Sequence, residues 1–122
     1  MIYKPTSASA LEFASAGRVE EWVHLFLRGE GFNKAFSDGL KLKPRRFYPP
    51  ELLELNRVKR CCGPEENMKY QIPKDGFEKR VHKIAEKYAA GGWDMPPLIV
   101  GREEDILTLN DGNHRYEALK TL

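Results

Sequence analysis

The residue types best suited to chemistry gather near the C-terminus, in Asn110-Asp111-Gly112-Asn113-His114-Arg115-Tyr116-Glu117-Ala118-Leu119. The string reads as a strand end, a glycine turn and a helix start, with His114 and Arg115 in the first helical turn. A helix N-terminus offers unpaired N–H groups and the positive end of a dipole, and both suit an oxyanion. Gly112 lets the backbone approach a ligand closely. Arg115 adds a planar fork matched to phosphate oxygens, and His114 a second donor. Asp111 stands where it would hold Mg²⁺ on the phosphates or orient His114. A plain capped helix with an exposed His and Arg would produce the same string, so that reading stands beside phosphate binding.

A second set of charged groups lies upstream. Glu65 and Glu66 form an acidic pair after Pro64, preceded by Lys59 and Arg60. A carboxylate here is a candidate general base, His114 a further candidate acid or base, and Arg60 a candidate phosphate contact; surface solvation is the alternative for all of them. Cys61 and Cys62 are adjacent, so a disulfide between them would be a strained ring, and two ligands alone do not make a zinc site. Small apolar residues at a strand end is the simpler reading.

Charge is unevenly spread. From Lys41 to Arg60 there are seven basic residues against Glu51 and Glu54, a local +5, in a chain whose net charge is +2. Such a stretch suits an anionic ligand, a phosphate or a nucleic acid, although DNA-binding domains usually carry a larger excess, so DNA is not the favoured partner. The 122 residues, 41% hydrophobic and 31% charged, fit one globular domain and exclude a disulfide-built miniprotein, a collagen-like chain or a low-complexity tail. No apolar run approaches the roughly 20 residues of a membrane helix. Ala8-Ser9-Ala10 and Ala14-Ser15-Ala16 look like signal-peptidase sites but come after no apolar region, so the expected compartment is the cytoplasm.

These groups need elements to position them. Residues 1–16, small and polar, are expected to be irregular. Gly17 to Arg28 predicts an amphipathic helix, with Val19, Trp22, Val23 and Phe26 on one stripe that packs inward or docks a protein partner, and with His24 packed beside them. Gly29 and Gly31 end it, and Phe32, Phe36 and Leu40 suggest a short second helix. Glu51 to Val58 reads as a strand, Cys62-Gly63-Pro64 as a turn, and Glu65-Glu66-Asn67 as an exposed loop. Asp75 and Glu78 have capping-box spacing, and Phe77, Val81, Ile84 and Tyr88 form a helical stripe halted by Gly91-Gly92. Leu98-Ile99-Val100 reads as a strand covered on both faces, Gly101 to Asp105 as a charged turn, and Ile106 to Leu109 as a second strand. Asn113 to Leu122 begins a last helix with Ala118, Leu119 and Leu122 inward. With no C-cap before Leu122, two expectations stand: a domain truncated at its C-terminus, or a frayed last turn. The order predicts an α/β fold of the mixed α+β kind.

Asp111-Gly112-Asn113-His114-Arg115-Tyr116-Glu117-Ala118 resembles the phosphate-binding motif of the ParB/sulfiredoxin-like superfamily, which carries D-G-x-H-R-x-x-A, G-G-C-H-R or G-E-R-R at a strand-to-helix turn. The preceding helix, apolar strand, charged turn and second strand also match, so the resemblance covers roughly residues 75–122, is weaker over 51–74 and absent over 1–40. It implies a ParB/sulfiredoxin-like domain over 46–122 behind an N-terminal helical extension over 1–45. It further implies that Gly112, Asn113, His114 and Arg115 hold the phosphates of a nucleotide (ATP, ADP or CTP) with Mg²⁺. Sulfiredoxins have their reactive cysteine where this sequence has Asn113, so sulfinic-acid reduction is not implied. Partition ParB proteins add a helix-turn-helix domain for which there is no room. The form most similar is that of the ParB-like free serine kinases, in which one of an acidic loop pair is the general base; this puts Glu65 or Glu66 in that role and a small-molecule acceptor alongside. The resemblance implies a small kinase or nucleotide hydrolase, or else a non-catalytic, nucleotide-gated or DNA-associated module.

Overall fold

A computed structural model describes residues 1–60, 62–65, 68 and 70–122, with backbone alone for Cys62 and Tyr70. The fold is mixed α+β, and its internal contacts divide the chain into two units: residues 1–51 with 94–97, and residues 52–93 with 98–122.

The first unit is helical: α1 (Ser7–Ser15), α2 (Val19–Arg28) and α3 (Lys34–Leu40). The sequence expectation of an irregular lead-in is wrong here. Thr6 caps α1 by accepting from the Ser9 amide at 3.1 Å, while the Asp94 carboxylate accepts from the Ala8 amide at 3.0 Å and Ser7 Oγ donates to the Met95 carbonyl at 2.5 Å. These bonds satisfy donors at the helix start that a weak apolar pattern would not have stabilised alone. The α2 stripe folds as predicted: Trp22, Val23 and Phe26 are buried, the Trp22 and Phe26 rings stack at 5.2 Å, and Trp22 Nε1 donates to the Lys4 carbonyl. Trp22 and Phe26 therefore belong to the interior of this unit. The second helix forms over Lys34–Leu40, so Phe32 lies outside it, exposed and at a φ of 48°.

The second unit holds a 3₁₀ turn (Leu55–Arg57), β1 (Val58–Arg60), β2 (Cys62–Gly63), β3 (Tyr70–Gln71), α4 (Lys74–Ala89), β4 (Ile99–Glu103), β5 (Ile106–Asp111) and α5 (Asn113–Lys120). β5 is the middle strand of the larger sheet, parallel to β1 and antiparallel to β4, while β2 and β3 pair with each other. The strand expected over Glu51 to Val58 begins only at Val58, because the 3₁₀ turn occupies the preceding residues. Asp75 does not cap α4; the helix starts two residues earlier than a cap at Asp75 would place it, with Pro73 at the N-cap and Asp75 inside the first turn, where its charge favours the helix dipole. The hairpin between β4 and β5 is tighter than expected, reduced to Glu104-Asp105 by pairing of Glu103 with Ile106. β4 is half-buried to exposed rather than covered on both faces, as expected of an edge strand.

α5 packs on both sides. Tyr116 joins Val58 and Leu109 over the sheet, and Ala118 joins Phe77 and Val81 of α4. Tyr116 Oη donates toward the Leu55 and Val58 carbonyls at 2.7 and 3.2 Å, which ties the helix to the start of β1. Leu122, expected inward, is exposed beyond the end of α5.

Candidate phosphate site

The turn between β5 and α5 starts with a bulge. Ile99 pairs with Asp111 and Val100 with Leu109, leaving Asn110 as the extra residue, and the Asn110 side chain packs where a Cβ on Gly101 would stand. A bulge bends its strand and re-aims the residues after it, here Asp111 and Gly112. Gly112 sits at φ 102° and occupies the N-cap of α5, so the helix begins at a residue with no side chain to cap it. A Cβ there would lie 2.6 Å from Leu98 Cδ2 and 2.9 Å from Arg115 Nη2, which excludes any larger residue without rearrangement.

The motif residues take distinct places. Asn113 is buried, with Nδ2 directed to the Leu109 carbonyl at 3.5 Å. Arg115 is buried and folds back over Gly112, and its Nη2 donates to Asp111 Oδ2 at 3.1 Å. This i, i+4 pair braces the turn. It also places a guanidinium against the carboxylate expected to take Mg²⁺. Among the described residues no group of three or more His, Cys, Asp or Glu side chains is arranged to hold a metal ion.

His114 turns the other way, toward α4, where its ring meets Phe77 with centroids 4.8 Å apart. Burial, then the charges of Arg80, Arg115 and Arg60, push the imidazole down to about 4. At neutral pH it is therefore an uncharged donor and acceptor lying in a positive field. Arg60 also lies over Phe77, 5.3 Å from the ring centroid, and pairs with Glu65 and more distantly with Glu117, 3.7 Å from its Nε. Among the described residues, Arg60 Nη1 and Glu117 Oε2 are buried polar atoms without a hydrogen-bond partner. Glu65 feels burial, which raises its pKa, but the Arg60 hydrogen bond and charge outweigh that and hold the carboxyl below its ordinary value.

Arg60, Glu65 and His114 are thus brought together around Phe77, while Asp111 and Arg115 pair beside Gly112. Glu66 and Cys61 lie outside the described residues. A cleft of about 390 Å³ opens next to this cluster, lined by Phe77, Val81, Ala85, Glu65 and Glu117 among others, and Gly112 to Arg115 do not line it. Sequence reasoning missed Arg80, Phe77 and Glu117 as neighbours of the motif. Glu117 was visible within the motif string itself; Arg80 and Phe77 stand three apart on α4, and only the packing of α4 on α5 brings them to His114.

No protein-family model, curated protein or solved structure matches this chain.

Proposed function

We propose that the β5–α5 turn recognises the phosphates of a nucleotide, with His114, Arg80 and Arg60 facing the anion and Arg115 holding the turn in shape through Asp111. The observation that carries this reading is the turn itself: α5 starts at Gly112, at φ 102° and with no side-chain cap, with the Arg115 guanidinium folded over it. A helix start without a side-chain cap leaves amide donors and the positive end of the dipole to an anion. The Asp-Gly-Asn-His-Arg string supports the same reading through its resemblance to the ParB/sulfiredoxin-like motif. Mg²⁺ in this scheme travels with the nucleotide phosphates, as it does where a protein supplies few carboxylates.

Binding rather than phosphoryl transfer is the activity favoured by the geometry. A general base needs a pKa near the working pH, whereas Glu65 is ion-paired with Arg60 and held low. A kinase or nucleotide hydrolase acting on a small-molecule acceptor in the adjoining cleft is the second reading, favoured by the closeness of Glu65 to that cleft.

Thermal-shift titration with ATP, ADP and CTP, with and without Mg²⁺, tests both. A ligand that binds only the folded chain raises the melting temperature by mass action. We expect at least one nucleotide to do so, and Arg80→Ala and His114→Ala to abolish the shift without unfolding the protein. No shift at millimolar nucleotide, or a shift untouched by both substitutions, rejects the site. Phosphate release or transfer that disappears in Glu65→Gln would move the conclusion to the enzymatic reading.

A further inference from the structure

The segment after α3 has a different chemistry. Residues 41–50 (Lys-Leu-Lys-Pro-Arg-Arg-Phe-Tyr-Pro-Pro) carry four cations and no carboxylate. They form no strand or helix, and Lys41, Lys43, Arg45 and Arg46 are all exposed. Among the described residues none of the four cations is in a salt bridge. Pro44, Pro49 and Pro50 fix φ and remove amide donors, which disfavours helix and strand pairing past the turn and bend at residues 41–43. Phe47 anchors it, half-buried, with its ring 6.2 Å from that of His24. Next to that anchor Tyr48 stands 69% exposed.

We propose that residues 41–50 bind single-stranded nucleic acid, with the four cations on successive phosphates and a base stacked on Tyr48. Exposed cations beside an accessible aromatic ring are the combination that single strands use: charge tracks the backbone, and the ring receives any base through its π-face. The segment offers no helix or two-stranded ribbon to enter a major groove, so duplex is the poorer fit. Leu42 is the exposed aliphatic side chain within it, too little apolar surface to anchor the segment in a bilayer.

Fluorescence anisotropy on the full chain, using labelled oligo(dT) and oligo(U) of about 15 nucleotides, the upper end of single-strand site sizes, tests the proposal. Affinity is expected to fall with salt at a log–log slope near about −3, since each phosphate neutralised on a single strand contributes about −0.7. Replacing Lys41, Lys43, Arg45 and Arg46 together by alanine should remove most of the binding and the slope. Tyr48→Ala should weaken binding about tenfold with the slope kept, and Tyr48→Phe should restore it. All five side chains are exposed, so the variants should keep the parent circular dichroism spectrum. Retention of binding by Arg80→Ala and His114→Ala would separate this surface from the phosphate site and support it. The proposal fails if the oligonucleotides do not bind at low salt, about 50 mM, or if the fourfold variant binds like the parent. It fails equally if duplex binds as tightly as single strand with Tyr48→Ala neutral, or if phosphatidylserine vesicles bind and the oligonucleotides do not.

Discussion

His114 makes the charge state of the candidate site measurable. Its imidazole takes a proton near pH 4 in the folded chain, against about 6.5 when unfolded. The unfolded chain therefore binds the proton first, and the contribution of His114 to stability is complete above about pH 6.5 and is lost as the pH falls toward 4. The ring is only half-buried, so solvent screening reduces the effect to the order of 1–2 kcal/mol. Urea titrations from neutral pH down to about 4 should show this decline, and His114→Gln should flatten it. A bound phosphate would oppose the arginine field, and saturating nucleotide should therefore raise the His114 pKa in an NMR titration. Asp111 has a different role: its carboxylate neutralises a guanidinium only 10% exposed. Asp111→Ala should destabilise by roughly 3–5 kcal/mol, because breaking a buried pair strands the remaining charge, whereas replacing both partners with neutral residues should cost less. Chemical denaturation of the single and double variants checks this.

Among the elements, α5 has the most demanding position, since its two ends and two faces serve the turn, the sheet and α4. Tyr116→Phe removes the hydroxyl that reaches the Leu55 and Val58 carbonyls, and a loss of roughly 1–3 kcal/mol is expected, read as a lower urea midpoint with unchanged slope. The helices with strong apolar stripes, α2 and α4, could be read from the sequence, as could the β4–β5–α5 order, because their patterns are local. α1 could not: its serines and alanines carry little stripe, and one of its caps comes from Asp94. β1 is misplaced by sequence reading because Leu52, Leu53 and Leu55 look like strand residues, yet Leu52 is fully exposed and Leu55 begins a 3₁₀ turn. The Gly112 turn is readable as a motif, but its internal pairing is not, since Arg115 pointing to a ligand and Arg115 folding back on Asp111 have the same sequence. A second constellation illustrates the same limit. His24 Nδ1 meets Ser37 Oγ at 2.7 Å, with Glu20 3.7 Å from Nε2. The residue types are those of a nucleophilic triad, but Ser37 is completely buried, and the group instead ties α2 to α3.

Across the whole chain, the contacts do not follow sequence order. The chain leaves the second unit after Trp93, contributes Asp94–Pro97 to the first, and resumes the second at Leu98. Among the described residues no helix is long and apolar enough to cross a membrane. Asp94→Ala should cost about 1 kcal/mol, the usual worth of a helix cap, and should raise the hydrogen-exchange rate of the Ala8 amide ahead of amides in α2. The same four-residue excursion fixes a timetable during synthesis. α1 emerges from the ribosome well before its partners: the carboxylate and carbonyl that receive its Ala8 amide and Ser7 hydroxyl lie 86 and 88 positions downstream. At about 5–20 residues per second that wait lasts several seconds, during which the nascent amino-terminal helices remain unfinished and open to chaperones.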